Sequence, residues 1–332
     1  MCRANELSLL KKFLEYSWSL NHIFLSNNDI LDFQHRAKDK YNFVVAYHQQ
    51  TKIFHGILGV ITPEFYIDRK IRQNQDVWLA IWKVDKSLAK SNSLGMDMLN
   101  YVDAKFKPRS VSAIGINDTV SHIYKLMGFK VQKMNQWFRP NKNLFNCSLI
   151  VGKLPVVSKV DRIEKYRILE CDFKQERILE TFLSKIRSKR SFQYLGERYL
   201  NHPSYKYKIY SFLDGKLDLC AVFVGREVHA NGAKAFRITE LFIEGDISLN
   251  LSSGFDFFMN SESYEYIDFL EYGFDDTSLV ESGFILCTND LFVPHLFEPF
   301  VAERKEVKIA YRSKFPFSCS KGDSDLDRPN KG

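Results

Sequence analysis

Two short stretches of the chain carry residue types and spacings fit for chemistry. The first is the turn Lys90-Ser91-Asn92-Ser93-Leu94-Gly95, set just ahead of a helical pattern. Backbone N–H groups at a helix start, with a lysine beside them, make a site for an anion such as a pyrophosphate. The second runs from Asn117 to Phe129: an Asn-Asp cap, a helix bearing Tyr124, and a Gly128-Phe129 stop. His55 and Glu64, at opposite ends of one strand region, are the nearest candidates for a general base. Near the C-terminal end Asp323, Asp325 and Asp327 alternate ahead of Arg328. That tail is either a disordered terminus or a segment folded back, its planar arginine fork binding a sugar hydroxyl or a phosphate. A calcium loop is excluded by the lack of a downstream bidentate glutamate.

These residues need elements to hold them. Residues 77–84 are an apolar run dense in β-branched and aromatic side chains, read as a buried strand. After a polar turn, Met96, Leu99, Tyr101, Val102 and Phe106 mark one face of a helix that Pro108 ends. Residues 110–116 form a second strand, Asn117-Asp118 cap a helix over 119–127, and Phe129-Lys130-Val131 begin a third strand. Upstream, the pattern gives a helix within 7–32, a short one over 29–36, and a hairpin of 41–47 with 53–61, Gly56 and Gly59 marking bulges.

This order of strand, turn, helix, strand, helix and strand resembles the core of the GNAT family of acyl-CoA N-acyltransferases. The turn at 90–95 stands where the family's acyl-CoA loop runs Gln/Arg-x-x-Gly-x-Gly/Ala; Gly95 is the full match, with Lys90 for the Gln/Arg and Ser93 for the first glycine. Asn117-x-x-Val120-x-x-x-Tyr124-x-x-x-Gly128-Phe129 is close to the family's Asn-x-x-Ala-x-x-x-Tyr-x-x-x-Gly-Phe. The strand at 78–84 is similar to the splayed strand whose exposed backbone receives the thioester. The resemblance implies acyl-CoA, with acetyl-CoA as the default donor, held by Trp82, Lys83, Val84, Lys90, Ser93, Leu94, Gly95, Asn117 and Tyr124. It implies catalysis by Trp82 and Tyr124, the tyrosine protonating the departing thiolate. A phenol with an ordinary pKa near ~10 suits that role.

The length allows two domains of ordinary size, and 45% hydrophobic with 26% charged residues is a globular composition. No run approaches the roughly 20 apolar residues that span a bilayer, and no signal peptide is evident. Six cysteines without a Cys-x-x-Cys, and His202 and His295 without ligand neighbours, point to reduced thiols, no metal and a cytoplasmic location. Gly-x-Ser-x-Gly, Gly-x-Gly-x-x-Gly and Walker motifs are absent, which sets hydrolase and nucleotide-loop chemistry aside. Residues 1–155 carry 22 Lys and Arg against 12 Asp and Glu. A basic half suits a polyanionic ligand such as CoA and equally a solvated surface, while no tract proposes nucleic acid.

The segments 137–143 and 155–158 are rich in turn residues, and a boundary is expected near 155–161. Beyond it come an amphipathic helix over 173–186, a hairpin through Asp214-Gly215, a strand over 235–242, a helix near 252–260 and a strand at 266–269. Gly273-Phe274 and Gly283-Phe284 echo Gly128-Phe129. The expectation is an α/β (α+β) chain of two tandem GNAT-like domains, 1–155 binding acyl-CoA and 156–332 recognising the acceptor. Each would be a mixed, mostly antiparallel twisted sheet flanked by helices. The stretches 198–203, 236–238, 266–269 and 294–300, with the closing 321–330, are similar to those of double-domain transferases of bacterial surface-polysaccharide and amino-sugar gene clusters. That resemblance implies a nucleotide-linked amino sugar as acceptor, held by His55, Arg237, Glu240, Asp268, His295 and Arg328, and allows a homodimer. The alternatives are an aminoacyl or peptidyl transferase of cell-wall assembly and a binding protein that keeps the fold without catalysis.

Overall fold

The computed structural model describes residues 1–88, 93–144, 146–155, 166–171, 176–186, 190–243 and 251–329. Two large sheets form the frame. Their strands in chain order are β1 (Phe43–His48), β2 (Ile53–Ile61), β3 (Asp76–Val84), β4 (Ser110–Ile114), β5 (Lys130–Lys133), β6 (Asn135–Pro140) and β7 (Arg167–Glu170). Then come β8 (Tyr207–Leu213), β9 (Leu219–Ala230), β10 (Ala233–Ile243), β11 (Tyr266–Tyr272), β12 (Ile285–Leu286), β13 (Lys308–Ser313) and β14 (Cys319–Ser320). The first sheet has the order β1-β2-β3-β4-β13-β5; the second is β7-β8-β9-β10-β11-β6-β12, with β14 also on β11.

Each sheet is antiparallel except for one parallel pair, β3 with β4 and β10 with β11. A parallel pair needs a crossover, and in both cases a helix supplies it. Leu94–Phe106 joins β3 to β4 and buries Met98, Leu99, Val102 and Phe106 at helical spacing. Ser252–Glu262 lies between β10 and β11 and buries Phe255, Phe258 and Met259. Phe258 and Phe255 meet Tyr210, Phe212, Phe223 and Phe236 largely edge to face, which accounts for much of the chain's generous phenylalanine supply.

The sheets are not cut at one point of the chain. β6 comes from the first half, yet it lies between β11 and β12 of the second sheet. Near the C-terminal end, β13 returns to the first sheet and lies between β4 and β5. The exchange is reciprocal, each sheet receiving an inner strand from the other half. It corrects the reading of 137–143 as turn residues: Trp137, Phe138 and Arg139 are buried strand residues, and Pro140 closes the strand where a missing N–H costs nothing. The tail, through residue 329, folds back, with Lys321 and Ser324 buried.

Other expectations stand close to the observed elements. The helix within 7–32 is Leu7–Ser17, the short one is Asn28–His35, and the hairpin pairs β1 with β2, with irregularities beside Gly56 and Gly59. Asn117 caps the helix Asp118–Leu126 by accepting from Val120 N–H at 2.9 Å, and Gly128, at φ +78°, ends the turn that follows.

Candidate active site

In both sheets the parallel pair holds for only three residues and then opens. β3 meets β4 through Asp76–Ser110, Val77–Val111 and Trp78–Ser112. β10 meets β11 through Phe236–Ile267, Arg237–Asp268 and Ile238–Phe269. Just past each closed stretch the outer ladder carries one extra residue. On β3 it is Ile81, since Leu58 faces Trp82 and Gly59 faces Ala80; on β10 it is Thr239, since Val224 faces Glu240 and Gly225 faces Ile238. Such bulges sharpen the local twist and re-aim the strand. Glycine is needed opposite them: a Cβ on Gly59 would sit 2.6 Å from Ala80 O, and one on Gly225 2.4 Å from Arg237 O.

Beside the first opening aromatic rings pack on one another. Trp82 packs on the start of the Leu94–Phe106 helix, where a Cβ on Gly95 would lie 3.2 Å from the indole. The same indole meets Tyr124 edge-on at 5.1 Å, and Tyr124 packs on Phe129 at 4.9 Å. Tyr124 is 1% exposed, and burial pushes its phenol far above the usual range. The Asn117 side chain is spent on its own helix, Ser93 bonds Asp97, Lys83, Val84 and Leu94 are half-buried, and Lys90 lies outside the described residues.

The second opening holds a cavity of about 1070 Å³. One side is the edge of β10 at Leu241, Phe242 and Ile243, which has no strand paired on that side among the described residues and faces Leu279 and Phe284. The far wall belongs to the first sheet, where Arg109 Nε donates to Asp76 at 2.9 Å and Ser110 Oγ donates to it at 2.6 Å beside Trp78. These partners hold the Asp76 carboxyl below its usual range against the opposing effect of burial.

Glu240 stands where the two walls meet. It is 2% exposed, and the Phe192–Leu195 helix and the π-helical turn Gly196–Leu200 behind it are the elements that furnish its partners. Tyr194 Oη donates to Oε1 at 2.7 Å, and Tyr199 Oη donates to the same oxygen. Arg190 Nε lies 3.8 Å from Oε2, while its Nη2 is 2.5 Å from Asp323. Burial raises the Glu240 carboxyl above its ordinary range, Asp323 adds to the rise, and Arg190 and Arg198 oppose it.

The tail closes the narrow end of the opening. β14 pairs with β11, Lys321 N donates to Leu270 O at 3.1 Å, and Gly322 N donates to Thr239 O at 2.9 Å. Arg198 donates to Gly322 O and Ser324 O. Gly322 is required because a Cβ there would lie 2.4 Å from Tyr199 Oη and 2.6 Å from Glu240 Cγ.

Of the six residues expected at the acceptor, Glu240 alone lines this cavity. Arg237 and Asp268 are a buried cross-strand ion pair at 2.7 Å, with the guanidinium also donating to the carbonyls of Pro294 and His295. His295 is buried, its ring held well below the usual range chiefly by burial. His55 stacks on His48 at 4.8 Å, and Arg328 lies over the Phe24 ring at 4.8 Å with Asp325 at 3.4 Å. Glu64 is partly buried on the helix Pro63–Asp68, its carboxyl raised by burial. Asp76, Arg109 and Arg190 are wall residues that sequence patterns missed, their one signal being polar residues bordering apolar runs, and Asp323 of the acidic tail joins them on this wall. Among the described residues no cluster of metal-ligating side chains occurs.

No protein-family model and no curated protein sequence matches the chain. Solved structures do. A GCN5-related N-acetyltransferase from Anabaena variabilis superposes with a TM-score of 0.53 at 13% identity, over 94% of this chain and 71% of the other. A protein of unknown function from Enterococcus faecalis, described as a probable N-acyltransferase, gives 0.53 at 10% identity with the same coverages. A likeness at this level establishes the fold: two mixed sheets of the GNAT kind, flanked by helices, account for nearly the whole chain.

Proposed function

We propose that this chain is an acyl-CoA-dependent N-acyltransferase whose donor lies in the opening of the second sheet, with acetyl-CoA the default donor. The observation that carries the reading is the cavity in the second opening, with the buried carboxylate of Glu240 in its wall. The edge of β10 at 241–243 offers backbone donors of the kind that bind a thioester carbonyl. The slot between that edge and Leu279 and Phe284 is apolar, which suits a pantetheine arm.

In this scheme an amine enters along the wall of Asp76, Trp78, Arg109 and Arg190. It attacks the thioester carbonyl directly, the C–S bond breaks as the tetrahedral adduct collapses, and the thiolate leaves as free CoA. Glu240 takes the proton that the new ammonium nitrogen sheds. A carboxylate raised by burial is a better base near neutral pH than an exposed one. Arginines beside carboxylates on that wall support an acceptor with both an amine and an anionic group, such as a nucleotide-linked amino sugar of the type built into surface polysaccharides.

The test is calorimetry with CoA and acetyl-CoA on the wild type and on Thr277→Trp. Thr277 is exposed at the cavity rim, so an indole there obstructs entry without disturbing the core. Micromolar binding by the wild type and a loss of about 100-fold or more in the variant support the reading. Equal binding by both removes the donor from the second opening.

A further inference from the structure

The tail residues 319–328 are held far more firmly than an acidic terminus requires. Arg190 takes Asp323, Arg198 takes the carbonyls of Gly322 and Ser324, and Arg226 Nε and Tyr207 Oη take Asp327 at 3.2 Å and 2.6 Å. Buried cations are thus aligned along the tail, yet only one of the tail's carboxylates, Asp323, reaches the cavity wall. There it meets an arginine that has a second acceptor within reach. The guanidinium is 2.5 Å from Asp323 and 3.8 Å from Glu240, and it is fixed in plane by the rings of Trp78 and Tyr194, each 5.3 Å from its carbon.

We propose that Asp323, carried in by the tail, is a positioning residue for Glu240: it engages Arg190 and so keeps that guanidinium from closing on the base. Three arms meet at this point, from different parts of the fold. Tyr194, Arg198 and Tyr199 face Glu240 from the helix and π-turn behind it, Arg190 from the segment before that helix, and Asp323 from the tail. The Asp76–Arg109 pair faces Arg190 from the first sheet. If Asp323 loses its charge, Glu240 at 3.8 Å is a carboxylate on which Arg190 can close, and a carboxylate gripped by arginine is a weak base. The tail thereby couples a segment far from Glu240 in sequence to the protonation of that side chain. This inference rests on the reading of Glu240 as the base.

The experiment follows Glu240 directly, by ¹³C NMR titration of glutamate-labelled full-length protein, with the Glu240→Gln spectrum assigning the signal. In Asp323→Asn the midpoint moves down by about one unit or more, because a like charge is lost and an opposite one turns inward. In Arg190→Gln it moves up, and in Asp323→Glu it stays at the wild-type position. Acetyl transfer from acetyl-CoA to glucosamine, read as kcat/KM against pH, shows the acid limb shifting in the same two directions. An unmoved midpoint in Asp323→Asn, or shifts of one sign in both charge-removing variants, overturns the proposal and leaves Asp323 a structural staple. Should Asp323→Asn fail to fold, Arg190→Gln and Asp323→Glu decide by the same criteria. A wild type that binds no CoA but shows the opposed shifts sinks the acyltransferase reading and leaves the coupling intact.

Discussion

Asp268 and Arg237 are the clearest place to separate support from chemistry. Arg237 Nε donates to both oxygens of Asp268 at 3.1 Å, Nη2 donates to one of them at 2.7 Å, and two backbone carbonyls take the remaining donors at 2.8 Å and 2.9 Å. Both side chains are 2–3% exposed. Removing one partner of such a pair leaves a buried charge and costs about 3–5 kcal/mol. Asp268→Ala should therefore lose about that much. Arg237→Met should lose more, since it also orphans two carbonyls at about 1 kcal/mol or more each. The double variant Arg237→Met with Asp268→Leu removes both charges and keeps only the carbonyl penalty, about 2 kcal/mol. A double-mutant cycle from urea unfolding should then give a coupling of about 6 kcal/mol or more, the sum of the single losses less that of the double variant and above the range of about 0.5–3 kcal/mol usual for contacting residues. Additive single losses, or variants of wild-type stability with only a raised KM, would refute the argument and return these residues to the acceptor.

Two further outcomes are expected. Tyr124→Phe should leave turnover within about twofold, because the ring is enclosed by Trp82 and Phe129; a fall of 100-fold measured in steady-state acetyl transfer would restore the first opening as the donor site. Lys321, buried near Arg237 and Asp327, is pushed down to about 7, chiefly by burial. Between that pH and the ordinary lysine range the unfolded chain holds a proton that the folded chain has released, so stability rises with pH across the window and is lowest below it. Lys321→Met should consequently raise Tm more at pH 6 than at pH 10, which calorimetric melts at both values will check.

Local signals were legible where local forces decide. Asn117 caps its helix by a bond three residues away, and the Asp214 turn accepts from Lys216 and Asp218 within the same loop. Apolar runs at β3 and β10 announced buried strands. The residues at 137–140 did not read as a strand because their partners, 266–271 and 285–286, lie far along the chain, and Pro140 weighed against them. The cavity was likewise hidden. The matching motif sits in the first half, while the half with the cavity has no such motif. In the sequence Arg190 is one of four cations from Lys185 to Arg190, and only its folding between Trp78 and Tyr194 sets it apart.

The exchange of β6 and β13 sets an order on synthesis. Until residues 308–313 leave the ribosome, β4 and β5 lack the strand that joins them, and the first-made half waits with two open edges. β6 meanwhile emerges long before β11 and β12 exist to receive it. A chain stopped before residue 308 therefore lacks the strand that closes its earliest-made sheet, so the damage falls on the first part of the molecule.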